Sequence, residues 1–392
     1  MNSSIGAVQR LRIVVICAEF VPSFSYLENI LCRTLDRLGH DVLVLSSVPR
    51  NWSGDLSTAD AELPFEVYRS SWIIKFKNTF LEFGSGFSRR IKLHDPDIVF
   101  LLAPLSGIGM SALPSIPTRS KVISAFSDLP CHRGKWSMST LIKSRWVPAI
   151  VRRSSLVMAI TKETRVLLEG WVSEEERRKI QMTGLLLDFS RLPGSQDLPS
   201  QVEELLEKTA SICSVITRVR PEKNLKEFFG VICKFLESHP EMGFVMAGVG
   251  DDAASTDLLE AIRSSSVSDR CVTLPLLSEL EIRAVFEKSR FSLWNSVSVG
   301  IYHSLVSGCP ALLWNGQVSE HLIKDGVNGL WFGSIDEVEE AMEVAYSHPW
   351  NIDEVKRSVG HADSDKLVPA LLDAVLKSSD GTDERLASNS FS

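Results

Sequence analysis

The sequence has 392 residues, enough for two domains that each bury their own core. A 44% hydrophobic content and a mean hydropathy of +0.06 describe a globular chain without an apolar run long enough to span a membrane. The formal net charge of −7 argues against a general nucleic-acid binder, so no nucleic-acid partner is expected.

The opening residues lack the basic-then-apolar order of a secretory signal, which points to a cytoplasmic protein. The seven cysteines are Cys17, Cys32, Cys131, Cys213, Cys233, Cys271 and Cys309. They show no CxxC spacing and read as reduced core thiols, with no metal site expected. Cys131, beside His132 in a polar setting, is the one candidate thiol nucleophile.

In chain order, Leu11–Cys17 is an apolar run fit for a parallel strand buried on both faces. After a loop, Leu27, Ile30, Leu31, Leu35 and Leu38 share one face of a helix that closes near Gly39. Asp41–Leu45 is the next strand, and this β-loop-α-β order opens a doubly wound sheet. Further strands are predicted at Asp97–Ala103, Lys121–Phe126 and Leu156–Ile160. Thr161 would cap the helix that follows.

The Pro-, Gly- and Ser-rich stretch from Leu192 to Ser200 reads as a linker. Beyond it, strands near 211–217, 244–248, 271–275, 291–295, 310–314 and 329–332 alternate with helical segments. The predicted layout is an N-terminal domain over 1–191, a linker over 192–208 and a second domain over 209–377. The polar residues 378–392 read as a disordered tail.

The most informative stretch is Ser211–Asn224. A buried strand ends in a loop carrying Arg218 and Lys223, and a helix begins just after Pro221. Cations at the carboxyl end of a strand, beside a helix start, suit a pyrophosphate. A solvated surface pair is the plain alternative. This segment resembles the strand and Gly-Arg-x-x-x-x-Lys loop of glycosyltransferase family 4, whose members have the GT-B fold. Phe244–Asp251, with Gly248 and Gly250, is similar to that family's next strand and glycine turn. Val318–Trp331, with Glu320 and Asp325-Gly-Val-Asn328-Gly329, is similar to its glutamate and Asp-Gly-x-x-Gly segment. Gly184–Phe189 resembles the stretch that closes the family's first domain. Two departures stand out. The family's paired glutamates align with Asn295 and His303, and its first-loop glycines with Ser23–Tyr26.

The resemblance implies an α/β protein of two Rossmann-like domains facing across a cleft, with the nucleotide sugar held by the C-terminal domain. It assigns Arg218 and Lys223 to the donor diphosphate, and Asn295, His303 and Glu320 to the donor sugar or ribose. Gly248, Gly250 and Leu276 would form the nucleotide-binding loop. Asn and His can hydrogen-bond hydroxyls but cannot supply the charge of two glutamates. Several have a structural alternative: a plain turn for the glycines, a helix-face packing role for His303, a first-turn helix acid for Glu320. In the N-terminal half, Asp128 and His132 follow a strand end and are candidates for activating an acceptor hydroxyl, or for capping a loop.

From Leu129 to Lys162 no acid occurs, while Arg133, Lys135, Lys143, Arg145, Arg152 and Arg153 accompany Trp136 and Trp146. Trp72–Lys77 and Phe87–Lys92 also mix aromatics with cations. Such segments suit an anionic membrane surface or a lipid-linked acceptor, and equally a solvated basic helix. The expectation is a retaining glycosyltransferase that needs no metal or other cofactor and acts on a glycan, lipid-linked or small-molecule acceptor, peripheral at the inner face of a membrane. The alternatives are a degenerate, non-catalytic GT-B scaffold and a nucleotide-sugar epimerase.

Overall fold

The computed structural model describes residues 10–22, 26–48, 56–76, 79–127, 138–296, 298–314 and 322–377, with residues 72–76, 79–82, 138–144 and 195 described by backbone alone. The chain forms two compact units: Met1–Asp188 together with Ser364–Ser392, and Phe189–Asp363.

The first unit is built on β1 (Arg12–Glu19), β2 (Asp41–Ser47), β3 (Glu66–Arg69), β6 (Ile98–Leu101), β7 (Lys121–Phe126), β8 (Leu156–Ala159) and β9 (Ile180–Met182). They form one sheet in the order β3-β2-β1-β6-β7-β8-β9, and every pairing is parallel. A separate antiparallel hairpin joins β4 (Ser71–Phe76) and β5 (Thr79–Gly84). The period-2 pattern of β1 feeds two cores. Ile13, Val15 and Cys17 join the cluster that holds Ile30, Leu31 and Leu35, while Val14 and Ile16 join Val147, Ile150 and Val151 on the other face. Thr161 caps the helix Lys162–Glu169 by accepting the Thr164 N–H at 3.1 Å, as its sequence predicts.

The second unit contains β10 (Ser211–Ile216), β11 (Met242–Ala247), β12 (Cys271–Leu274), β13 (Ser289–Trp294), β14 (Ala311–Trp314) and β15 (Gly329–Phe332). Its sheet is also all parallel, in the order β12-β11-β10-β13-β14-β15. Cys213 and Val215 pack with Phe228, Ile232 and Phe235 of the helix Leu225–Ser238. The order reverses between β10 and β13, just as the first sheet reverses between β1 and β6. Ligands of open parallel sheets bind beyond the carboxyl ends of the strands at such a reversal.

Two boundaries differ from the sequence expectation. The stretch expected as a linker, 192–208, holds a 3₁₀ turn at Ser195–Asp197 and an α-helix at Ser200–Lys208. Val202 and Leu205, three residues apart, form its buried stripe. Leu205 lies over β11, where a Cβ on Gly243 would meet its side chain at 3.0 Å. The chain instead passes between units at Asp188–Phe189, inside the Gly184–Phe189 stretch. The helix Ser364–Lys377, expected in the second domain, belongs to the first. Its Val368, Leu371, Leu372 and Val375 enter the core cluster of Ile30 and Leu31, and Thr34 Oγ1 donates to Ser364 Oγ at 3.0 Å. Arg37 anchors both crossings, reaching Asp188 at 3.0 Å and Asp365 at 2.7 Å. The expected tail, 378–392, lies outside the described residues.

Candidate anion-binding site

The carboxyl ends of β10, β11 and β13 bring together four of the residues singled out in the sequence. Thr217 is the first residue past β10 and accepts a hydrogen bond from Lys223 Nζ. Lys223 ends a short 3₁₀ turn (Pro221–Lys223). Asn224 follows in the left-handed region at φ 45°, a conformation Asn tolerates better than most residues, and the helix Leu225–Ser238 starts there. Asn295, the first residue past β13, donates its Nδ2 to the Lys223 carbonyl, so the loops after the two strands are tied together.

Gly248, one residue past β11, has φ 100°, and a Cβ there would lie 2.3 Å from the Thr217 carbonyl oxygen. Only glycine fits this close approach. The Gly248 carbonyl accepts the Val219 N–H at 3.1 Å and its own N–H donates to Leu274 O at 3.1 Å, so the glycine stitches three strand ends together. Gly250 has no such constraint; its N–H donates to Ser255 Oγ at 3.0 Å in the turn before the helix Ala253–Arg263. Leu276, past the end of β12, is an aliphatic side chain 60% exposed.

In the loop after β10, Arg218, Arg220 and Lys223 outnumber the one acid, Glu222. Arg218 is exposed and has no ion-pair or hydrogen-bond partner among the described residues. Among the described residues Arg220 reaches Glu222, at 3.7 Å. Burial lowers the pKa of Lys223, and Arg220 and Arg218 push it in the same direction, against Glu222. A half-buried ammonium with two guanidiniums near enough to act on it forms a site that an anion would relieve. Sequence reasoning named two of them. Arg220 was missed, although its place two residues past Arg218, in the same loop, was the available signal.

His303 is placed differently. It lies in the helix Val299–Val306, 5% exposed, against the helix Glu279–Lys288. Burial drives its pKa down to about 4, helped by Arg283 and opposed by Glu279, so the ring is neutral near pH 7. Its Nδ1 has no hydrogen-bond partner among the described residues. The acidic neighbour Glu279 is committed to Arg191 at 3.0 Å and Arg283 at 3.1 Å. The structure therefore groups Arg218, Lys223, Asn295 and Gly248, and seats His303 in a buried charged cluster.

Asp128, His132 and Glu320 lie outside the described residues, as does Cys131; the other six cysteines are free thiols. The helical segment expected at 321–324 does not form over the described part, where Leu322 enters a turn. The Asp325–Gly329 motif has a local explanation. Asn328 accepts the Lys324 N–H at 2.7 Å and donates to Leu322 O at 3.0 Å, and a Cβ on Gly329 would lie 2.0 Å from Ala311 O. The motif thus shapes the turn that leads into β15. In the basic segment, Arg152 pairs with Glu176 at 3.2 Å, and Arg153 donates to the carbonyls of Pro117 and Ser120 at 2.6 and 3.2 Å. Arg145 is exposed. No described helix is long and apolar enough to cross a membrane.

No protein-family model matches the chain, and no curated protein sequence matches it either. Solved structures do. The Anabaena protein HepE, in complex with UDP and glucose, superposes with a TM-score of 0.68 at 12% identity, covering 94% of this chain and 100% of that one. A glycosyltransferase from Rickettsia africae gives 0.68 at 11% identity, covering 96% and 100%. The chain has the GT-B fold. A Listeria monocytogenes protein assigned as a UDP-N-acetylglucosamine 2-epimerase is equally similar, with a TM-score of 0.68 at 13% identity over 95% and 98%. In GT-B terms, the two parallel sheets are the two Rossmann-like domains, and the cation cluster belongs to the C-terminal one.

Proposed function

We propose that this chain is a glycosyltransferase that takes a sugar from a nucleotide-activated donor. The observation that carries the reading is the cluster of Arg218, Arg220 and Lys223 at the carboxyl end of β10, beside the order reversal of the sheet. Gly248 adds to it, because its missing side chain lets the neighbouring loop close up. A nucleoside diphosphate has the charge such a cluster takes, and HepE, of the same fold, binds UDP. Leu276 offers an apolar surface for the base at the next strand end.

On this reading the anomeric carbon–oxygen bond to the diphosphate breaks while the acceptor oxygen bonds the same face of the sugar. The acceptor proton passes to the leaving diphosphate, and the three cations balance the charge that develops on it. No metal is called on for that charge. The acceptor on this reading is a glycan, a lipid-linked molecule or a small molecule. Association with an anionic membrane rests on a narrower base than the sequence offered, because Arg152 and Arg153 are already engaged; exposed Arg145, Arg89 and Lys92 remain.

Two other readings have support of their own. Equal similarity to the Listeria epimerase favours a nucleotide-sugar epimerase with the same diphosphate cradle. The sealed position of His303 favours a binding protein without turnover. A thermal-shift panel of UDP, GDP and ADP, followed by the matching nucleotide sugars, tests the common core, since binding to the native state raises the melting temperature. The transferase predicts stabilisation by one diphosphate and release of that diphosphate only when acceptor is present. An epimerase changes the sugar with no acceptor, and a binding protein shows the shift without release. No shift with any of them overturns the site.

A further inference from the structure

The Lys223 loop is held by a closed ring of contacts. Thr217 leaves β10, Lys223 Nζ donates to the Thr217 hydroxyl, and the Lys223 carbonyl accepts from Asn295 Nδ2. Asn295 leaves β13, which pairs directly with β10. The ring therefore spans the order reversal and has a strand end on each side. It has little slack. Gly300, at the start of the helix after β13, would with a Cβ meet Trp294 at 2.4 Å and the Ile216 carbonyl at 3.3 Å. Trp294 is itself pinned by its indole N–H, which donates to Ser292 Oγ at 2.7 Å. On the other side, Asn224 in the left-handed region turns the chain sharply just after the Lys223 carbonyl. A carbonyl next to such a turn sets the plane of the following peptide and, with it, the direction in which the Lys223 side chain leaves the backbone.

We infer that Asn295 is a positioning residue: by holding the Lys223 carbonyl it aims the Lys223 ammonium at the donor diphosphate, and it does not itself touch the donor sugar. The inference rests on the proposed nucleotide-sugar site. It accounts for a carboxamide at this position, because the task needs an N–H donor facing a carbonyl. A carboxylate of the same shape would place two acceptors against each other. The role of Asn295 is then expressed through Lys223 and disappears when Lys223 is gone.

The test is a double-mutant cycle on the full-length chain, with UDP and UDP-glucose as probes and calorimetry as the readout. Asn295→Leu keeps the branching and removes the donor, and Asn295→Gln keeps the carboxamide. Asn295→Leu is expected to weaken UDP and UDP-glucose alike, by about tenfold, the usual size of one lost hydrogen bond. The Asn295→Leu/Lys223→Ala double variant should bind no more weakly than Lys223→Ala alone, and Asn295→Gln should recover part of the loss. Amide hydrogen exchange on the ligand-free protein gives a second readout. In Asn295→Leu, residues 218–224 should exchange faster while β10 keeps its protection.

A loss confined to UDP-glucose, or one that adds fully to that of Lys223→Ala, would show direct sugar contact and overturn the inference. Unchanged exchange in the loop would overturn it too. If wild-type protein binds neither probe while the loop exchange still rises in the variant, the ring stands and it is the nucleotide reading that fails.

Discussion

The two sheets of this molecule follow one plan and end in opposite charge. Both are all parallel, and both reverse strand order beside their first strand, between β1 and β6 in one and between β10 and β13 in the other. At the carboxyl end of β10 stand Arg218, Arg220 and Lys223. At the carboxyl end of β1 stand Glu19 and, in the first turn of the following helix, Glu28. Burial raises the Glu28 carboxyl to about 7, and Glu19 pushes it the same way. Topology thus marks where a ligand sits, while a few side chains decide its charge. On the proposed reading, a diphosphate suits the second reversal better than the first.

The largest effect that would test this contrast is geometric. Gly248→Ala forces a side chain to a φ of 100° and within 2.3 Å of the Thr217 carbonyl. A loss of about 2–3 kcal/mol of unfolding free energy is expected, measured by urea denaturation. A variant as stable as wild type would mean that the strand ends are not stitched as described. Next comes charge. Arg218→Ala and Lys223→Ala should each remove about 1.5–3 kcal/mol of UDP affinity, the range for hydrogen bonds to charged groups, whereas Glu28→Gln should leave it unchanged. Calorimetric titration decides, and a comparable loss in Glu28→Gln would break the comparison between the two reversals.

The smallest effect is a pair of opposed pH slopes. The Glu28 carboxyl is raised from an ordinary 4.5 to about 7, so the folded chain holds that proton more tightly than the unfolded one. Its contribution is fully present below about 4.5 and fades as pH rises through 7. The His303 imidazole is lowered from 6.5 to about 4, so its contribution is present above 6.5 and fades as pH falls through 4. Glu28→Gln should therefore gain on wild type as pH rises through this window. His303→Gln should lose least relative to wild type at its acid end. Stability differences that stay flat from pH 4 to 7.5 would remove both assignments.

Much of this was legible in the chain, and the failures have identifiable causes. All six strands of the second unit were predicted in order, because each is a short apolar run bounded by turn residues. In the first unit, β3, β9 and the hairpin β4–β5 were missed. Glu66–Arg69 has no apolar alternation to announce a strand, and the hairpin stands apart from the main sheet. The helix Ser200–Lys208 was hidden by the Pro- and Gly-containing residues before it. Arg218, Lys223 and Gly248 could be found because a charged loop after a buried strand has a local signature. The bond from Asn295 to the Lys223 carbonyl could not be read, since it joins residues 72 apart in the chain. For His303 the packing alternative is the one borne out, and choosing it over the donor role depends on how one helix packs against another.

The return of the chain to its first unit has a consequence for how the protein is made. The helix Ser364–Lys377 supplies Val368, Leu371, Leu372 and Val375 to a core otherwise built from residues synthesised much earlier. On a ribosome, that core stays open on one side until the whole of Phe189–Asp363 has emerged, on the order of ten to forty seconds at ordinary elongation rates. The second unit, contiguous in sequence, can close as soon as it clears the tunnel. Birth order and folding order are then inverted: the half translated last is finished first. A message truncated shortly before codon 364 would yield a complete second unit attached to a first unit that has lost one wall of its core.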